Sequence, residues 1–182
     1  MTDFFNKTDL SRNVAEKIIS ETLNNCDDGE LYLENSKSES IVLDDDKIKS
    51  STYSSDLGYG LRAVTGEVVA YSHSNEISRN SLKQSADNLS STLKSKKGVY
   101  NHEIPKTNEN FYKNINPIEE KSLQSKLELL KEVNSYTRAK SGIVQQVTAS
   151  FSGEHKSIEI FFISLEIFIN SSNFFIFMFL FN

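Results

Sequence analysis

Apolar residues recur at helical spacing in three parts of the chain. The first part is 9–25, the second begins at Ser74, and the third follows Asn116. The three apolar stripes consist of Leu10, Val14, Ile18 and Ile19; Ile77, Leu82, Ala86, Leu89 and Leu93; and Leu123, Leu127, Leu130 and Val133. Each stripe is flanked by charged or polar residues, as in a helix that buries one face. The pattern predicts two or three amphipathic helices.

The start of the third helix carries a capping signal. Asn116 is a natural N-cap, Pro117 suits the first helical position, and Glu119 completes the capping pattern. We therefore expect one helix from there to about Ala139. Residues 94–117 precede it and are rich in lysine and asparagine, so they are predicted to be a linker.

Between the helices, alternating apolar and polar residues predict β-hairpins. The first hairpin has Leu31 and Leu33 in one strand and 41–43 near its turn, which the acidic triplet 44–46 forms. The second joins 56–66 to 67–73 through a two-residue turn, Thr65-Gly66. The third joins 143–151 to 156–160 through Ser152-Gly153. The predicted fold class is α+β, with antiparallel β-hairpins packed against the helices.

The last 22 residues differ in composition from the rest of the chain. Residues 161–182 contain eight of the 12 phenylalanines, and Glu166 is their one charged residue. A membrane anchor is one interpretation, but the polar run 170–173 would be costly in hydrocarbon. Translation past a frame change is the other and the favoured one, because 16 Lys against 4 Arg indicates an AT-rich gene. We predict a body at 1–160 and an added or disordered tail at 161–182, which lowers solubility.

Charge and cysteine content exclude several classes of protein. The chain of 182 residues has a net charge of −5, so a basic nucleic-acid-binding surface is not expected. Its single cysteine, Cys26, excludes an internal disulfide framework and fits a reducing compartment. Residues 1–10 lack the pattern of a secretory signal. The expected location is the cytoplasm, with no nucleic acid as partner and a membrane disfavoured.

Three features near the hairpins are candidates for binding. The triplet 44–46 is interpreted as a solvated turn rather than a cation site, because no loop of EF-hand spacing surrounds it. Gly58 and Gly60 are interpreted as a bulge or a close backbone approach, because neither a third glycine at dinucleotide spacing nor a Lys-Ser/Thr pair follows. Arg62 can pair a carboxylate, including a peptide terminus, but a structural salt bridge is favoured.

Histidine and cysteine provide no self-sufficient catalytic set. His102-Glu103 begins like a zinc-binding helix, but no histidine follows one turn later and Pro105 opposes a helix. His73 and His155 have no local partner, and Cys26 has no partner base by sequence. The residues themselves therefore predict no catalytic, cofactor-binding or metal-binding position.

Several stretches together resemble a known family. Residues 30–67 are similar to the N-terminal region of the TldD branch of the TldD/PmbA family. The motif is Asp56-x-Gly58-x-Gly60-x-Arg62-Ala63, followed by Gly66-Glu67 and Ile77-Ser78, with a second match at 144–148 and Ser152-Gly153. The resemblance runs from about residue 8 to about residue 160. Two mild departures are Ala70 and Asn75, where the family often has glycine and aspartate.

The resemblance implies the N-terminal domain of a zinc metallopeptidase, in a family once called modulators of DNA gyrase. The HExxxH zinc helix and a cysteine ligand of such proteins match no position here, so zinc is expected only in full-length members. The first hypothesis is therefore a truncated peptidase fragment, inactive alone. The alternative is a non-catalytic module that binds a TldD/PmbA-type subunit or an extended peptide at a strand edge near 144–160. A third is a domain tethered to a membrane by its tail.

Overall fold

The described part of the chain contains four helices and five β-strands. In this computed structural model the described residues are 4–6, 8–93, 98 and 115–162, together with the backbone of 166–181. In chain order the elements are α1 (Arg12–Leu23), β1 (Asp28–Asp44), β2 (Lys47–Thr65), β3 (Val68–Ser74), α2 (Arg79–Leu93), α3 (Pro117–Glu120), α4 (Leu123–Lys140), β4 (Gln146–Phe162) and β5 (Glu166–Phe181).

The five described strands form one sheet with the order β3-β2-β1-β4-β5. β2 and β3 pair antiparallel, from Tyr59 opposite Ser74 to Thr65 opposite Val68. β1 and β2 are consecutive strands joined by a short turn, which makes this pair a hairpin as well. The sheet and its helices confirm the predicted α+β class with antiparallel hairpins.

Side-chain contacts give the relative direction of β1 and β4. Thr148 Oγ1 donates to Asp44 Oδ1 over 2.9 Å, and the hydroxyls of Ser40 and Ser152 lie 3.4 Å apart. From the first pair to the second, the residue in β4 changes from 148 to 152 while the residue in β1 changes from 44 to 40. The two strands therefore run antiparallel, although they are far apart in the sequence.

The chain divides into two units. The first comprises Met1–Asn35, Asp56–Tyr112 and Ser157–Ile169. Its core forms because alternate residues of β1 and β2 and the apolar stripes of α1 and α2 are buried together. The main contributors are Leu10, Ala15, Ile19 and Leu23; Leu31, Leu33, Leu61 and Ala63; and Leu82, Ala86, Leu89 and Leu93.

The second unit comprises Ser36–Ser55, Lys113–Lys156 and Asn170–Asn182. Its apolar cluster joins β1, β4 and α4 and consists of Ile41, Leu43, Leu130, Ala149 and Phe151, with Leu127 and Val133 packed against it. This cluster is small. A buried ion pair between Lys126 and Glu39 lies beside it, with the Lys126 ammonium 5.7 Å from the centre of the Phe151 ring.

The first hairpin has the turn that the sequence predicts. β1 ends at Asp44 and β2 begins at Lys47, so Asp45 and Asp46 form the turn. Their φ angles are 46° and 64°, in the left-handed region that aspartate tolerates better than most residues.

The second hairpin differs from the prediction by one position. β2 continues through Thr65, and the turn consists of Gly66 and Glu67. Gly66 has φ +60°, a conformation that costs glycine little because it lacks a Cβ. The Thr65 side chain is buried instead, in continuation of the inward row of β2.

The predicted turn at Ser152-Gly153 is wrong, because β4 is one strand from Gln146 to Phe162. Burial alternates along its whole length without a break at Gly153. β1 and β5 flank β4 on its two sides. The strand edge expected near 144–160 is therefore occupied by β5 within the sheet.

The predicted third helix is two helices. The Asn116 cap is confirmed, since its Oδ1 accepts from the Ile118 amide over 3.2 Å. Lys121 then adopts an extended conformation, with φ −113° and ψ 136°, which ends α3 after one turn. Ser122 accepts from the Ser125 amide over 3.2 Å and starts α4 as a new N-cap.

The second helix also begins later than expected. β3 extends to Ser74, and α2 starts at Arg79. The Ser78 hydroxyl accepts from the Ser81 amide over 3.1 Å, which caps this helix at its observed start.

Most of the predicted linker, 94–97 and 99–114, lies outside the described residues. The backbone of 166–181 forms β5. The expectations about the origin, solubility and membrane behaviour of the tail stay predictions. No helix in the described part of the chain is both long enough and apolar enough to cross a membrane.

Candidate functional site

The outward face of the first unit's sheet carries the glycine motif. Tyr59 and Leu61 of β2 are buried in the core, so the residues that alternate with them lie on the other face. These are Gly58, Gly60 and Arg62. The sheet register places His73 opposite Gly60 and Tyr71 opposite Arg62 on β3. Two neighbouring strands therefore contribute to one outward surface.

Arg62 is held by two carboxylates of β1. Its Nη2 lies 2.6 Å from Asp28 Oδ2, and its Nε lies 3.2 Å from Glu30 Oε1. The side chains of all three residues are about two-thirds buried. The structure thus gives Arg62 the structural salt bridge that the sequence favours.

A groove of about 250 Å³ lies over the two glycines. Tyr32 and Glu34 of β1 line one side, and Tyr71 and His73 of β3 line the other. Asp56, two residues before Gly58 on β2, lines one end of the groove. The two glycines place no side chain in this space, and the groove exists because of that.

The side chains that line the groove also contact one another. The Tyr32 hydroxyl donates a hydrogen bond to Glu34 Oε2. Burial, and then this carboxylate, raise the pKa of the Tyr32 phenol, so the phenol stays protonated at neutral pH. Across the groove, the rings of Tyr71 and His73 stack with centroids 5.8 Å apart and an interplanar angle of 26°. The groove therefore has aromatic surfaces on both sides and a carboxylate beside one of them.

Gly58 and Gly60 are close-approach positions of different severity. A Cβ on Gly58 would lie 2.8 Å from the Ser74 carbonyl oxygen, which is backbone. A Cβ on Gly60 would lie 2.6 Å from the Tyr71 hydroxyl, the far end of an exposed side chain. Both glycines are therefore needed for close packing of the backbone. A side chain is tolerated less well at Gly58, because the neighbouring Ser74 backbone cannot move aside as the Tyr71 side chain can.

We therefore predict that Gly58→Ala lowers the free energy of unfolding by about 1–3 kcal/mol and Gly60→Ala by less. Chemical denaturation of both variants measures the difference. Gly142→Ala is the matched control, because a Cβ there meets nothing within 4 Å and its φ is not positive. A Gly58 variant as stable as the Gly142 variant would contradict the close approach.

The chemically reactive residues elsewhere are used by the fold. Cys26 is buried, and its thiol donates to the Thr22 carbonyl over 3.8 Å. Burial raises the pKa of this thiol, which disfavours the nucleophilic thiolate. His155 is also buried, and burial lowers the pKa of its imidazole. His102 lies outside the described residues.

The acidic triplet is bound within the protein. Asp44 Oδ1 accepts from Gln146 Nε2 and from Thr148 Oγ1, each over 2.9 Å, and these bonds lower the pKa of its carboxyl. Asp45 accepts from the Val147 amide over 3.0 Å and pairs with Arg138. The turn is therefore hydrogen-bonded to β4 and ion-paired with α4, and it is not simply solvated. Among the described residues, no group of three or more His, Cys, Asp or Glu is placed to hold a metal ion.

Sequence reasoning missed the groove, because its two walls come from strands that are distant in the sequence. Tyr32 and Tyr71 are about 40 residues apart, and only the strand register brings them to the same face. The one signal available in the sequence was the pair of glycines inside a strand.

Residues 29–93 match the family model described as PmbA/TldA metallopeptidase domain 1. The chain is 36% identical over 133 residues to the Metalloprotease TldD homolog of Buchnera aphidicola subsp. Acyrthosiphon pisum. It is 33% identical over 140 residues to the Metalloprotease TldD homolog of Haemophilus influenzae. These matches cover 72% and 74% of this chain but 28% of each relative. The chain thus spans between a quarter and a third of the length of these relatives.

Solved structures have the same fold. A protein described as a modulator of a DNA gyrase from Thermotoga maritima matches with a TM-score of 0.74 and 14% identity, over 91% of this chain and 38% of that one. TldE from Thermococcus kodakarensis matches with a TM-score of 0.62 and 14% identity, over 92% of this chain and 39% of that one. Identities this low show the fold alone.

Proposed function

Because the chain belongs to the TldD/PmbA metallopeptidase family through its first domain, we propose that it acts as the N-terminal, non-catalytic part of a TldD-like zinc metallopeptidase in peptide processing. In this proposal the 182 residues supply a folded domain, and a zinc-bearing partner or segment supplies the chemistry. We propose the cytoplasm as its location, since the single cysteine, Cys26, is a buried thiol.

The structural roles of four described residues, Cys26, His155, Asp44 and Asp45, support this proposal most directly. Cys26 lies in the core of the first unit, and burial raises its pKa. Burial lowers the pKa of His155, and the carboxylates of Asp44 and Asp45 accept bonds from β4. Groups committed to packing and turns are poor candidates for an active site, which needs a reactive group exposed in a cleft. The family match, in turn, lies on the domain that contains the glycine motif.

A second function, a module that binds an extended peptide or a family subunit, is favoured by one observation. Among the described residues, β3 pairs with β2 from Tyr59 onward, and the preceding residues of β2, 47–57, are all exposed. A strand edge of this kind can pair with another strand. The two functions differ in one observable, because a binding module holds the peptide without any zinc-bearing partner.

We predict that the purified chain does not retain stoichiometric zinc. A structural or catalytic zinc site needs three or four histidine, cysteine or carboxylate ligands that converge on one point. Metal analysis after zinc loading and extensive dialysis measures this directly. One tightly held zinc per chain, lost in His102→Ala but kept in a His155→Ala control, would contradict the proposal.

A further inference from the structure

We propose that two copies of this chain associate through one side of α4, packed antiparallel about a two-fold axis at Tyr136. This surface, here called the α4 face, consists of Leu129, Glu132, Val133, Tyr136 and Lys140. All of these residues belong to the second unit of the fold. The inference goes beyond the proposed function and does not rest on it, because it involves neither zinc nor a peptide.

α4 carries apolar residues on two of its sides. One side packs into the core of the second unit through Leu130, with Leu127 and Val133 against it. A second row, Leu129 and Tyr136, is 39% and 63% exposed. A surface helix ordinarily buries one apolar stripe and presents polar residues elsewhere. The second row therefore has the composition of a surface that a partner covers.

The second row borders a groove of about 850 Å³ along the C-terminal half of α4. Leu129, Val133 and Tyr136 line the groove from the helix, and Val144 lines it from the segment that leads into β4. An apolar groove of this kind accepts the side chains of a second amphipathic helix. The α4 face thus offers both an exposed ridge and a space beside it.

Two residues of opposite charge flank Tyr136 on the same side of the helix. Glu132 lies four positions before it and Lys140 four positions after it, and residues at this spacing share a helix face. Both are exposed, and neither forms a salt bridge with a residue that the structure describes. The Lys140 ammonium lies 4.6 Å from the centroid of the Tyr136 ring. Both charges are therefore available to a partner.

The α4 face is complementary to itself. When two helices pair antiparallel about a two-fold axis at Tyr136, Glu132 of each copy lies level with Lys140 of the other. Both copies then contribute one acidic and one basic group, and the two Tyr136 rings lie at the axis. A two-fold interface requires a single surface that complements itself. Facing opposite charges set the register, and a central aromatic residue is typical of positions that dominate binding.

The contact is limited to one helix and the adjoining segment of each copy, which is less than a permanent dimer buries. We therefore expect a reversible equilibrium between monomer and dimer, with a dissociation constant on the order of 50 μM. Analytical ultracentrifugation of the full chain, at concentrations from about ten times below to about ten times above this constant, measures it.

Charge reversals locate the contact. Lys140→Glu places like charges at both facing pairs and is expected to weaken dimerisation at least about tenfold. Glu132→Lys is expected to do the same. Lys131→Glu is the matched control, because it changes the net charge equally but lies five positions from Tyr136, on the other side of α4. We expect it to leave the dissociation constant unchanged within about twofold.

A mixture of the two reversed proteins is the sharpest test of a two-fold contact. On the α4 face, Lys140→Glu leaves only acidic groups and Glu132→Lys leaves only basic groups. Every mixed dimer then forms both facing pairs, so we expect the mixture to associate within about threefold of the unaltered chain. Association through another surface, the tail included, gives no such recovery.

The central tyrosine is tested separately. Tyr136→Ser is expected to weaken dimerisation at least about fivefold, because it removes the ring at the axis. Tyr53→Ser is its control, since Tyr53 belongs to the same unit and is 56% exposed. Melting curves of all these variants establish that each remains folded.

Three results would overturn the proposal. The first is a chain that remains monomeric at about ten times the expected constant. The second is equal association of the Lys140→Glu and Lys131→Glu variants, and the third is a mixture that associates no better than its components. Each of them leaves the proposed function untouched, because none of these measurements involves zinc or peptide hydrolysis.

Discussion

Lys126→Ala is expected to lower the free energy of unfolding by about 3–5 kcal/mol. The Lys126 side chain is 5% exposed, and its ammonium contacts the carboxylate of Glu39, which is 10% exposed. It also donates to the Ile118 carbonyl over 2.6 Å. Truncation would leave a buried carboxylate without its cation, and an uncompensated charge in the interior is much costlier than the loss of an exposed ion pair.

Urea denaturation followed by circular dichroism measures this effect. Lys17→Ala is the control, because its partner Glu21 is exposed and the atoms of that pair are 3.9 Å apart, so we expect a change within about 0.5 kcal/mol. The double variant Lys126→Met with Glu39→Leu is expected to recover most of the loss, because it removes both charges. A Lys126→Ala protein as stable as the Lys17 variant would show that the pair is not buried in solution.

Leu61→Ala is expected to cost about 3 kcal/mol. Leu61 is fully buried in the core of the first unit, on the inward row of β2. The substitution removes apolar contacts and leaves a cavity between the sheet and the helices, and close-packed surroundings fill such a cavity only in part.

Leu57→Ala is the matched control for this experiment, since Leu57 lies on the same strand and is 39% exposed. Its expected cost is about 1 kcal/mol or less. Equal losses in the two variants would mean that the inward row of β2 is not the core of the unit.

Sequence periodicity predicted the local elements of this fold well. The stripe of Ile18 and Ile19 and the alternation of Leu31 and Leu33 each reflect burial of one face, which the chain encodes over a few residues. The Asn116 cap and the acidic turn were also predicted, because both depend on neighbouring residues.

The errors share a physical cause. Ser152-Gly153 has the composition of a turn, yet β4 passes straight through it because strands on both sides pair with it. Tertiary pairing thus overrode the local preference. The break at Lys121 is equally invisible to periodicity, because the predicted apolar stripe begins at Leu123, after the break, and no apolar spacing crosses Lys121.

The candidate groove could be predicted only in part. Gly58 and Gly60 marked the place, since glycine inside a strand indicates a close approach. The walls could not be predicted, because Tyr32 and Tyr71 meet through the register of three strands. Arg62 was assigned a salt bridge from its residue type, but the identities of Asp28 and Glu30 required the structure.

The most direct test of the proposed function is peptide hydrolysis by the purified chain. An unstructured peptide is incubated with the chain and equimolar zinc, beside the TldD homolog of Haemophilus influenzae at the same concentration. The proposal predicts no cleavage by the chain above the rate in zinc-containing buffer. Cleavage that is proportional to chain concentration and stopped by a chelator would contradict it and show that these 182 residues hold a complete active site.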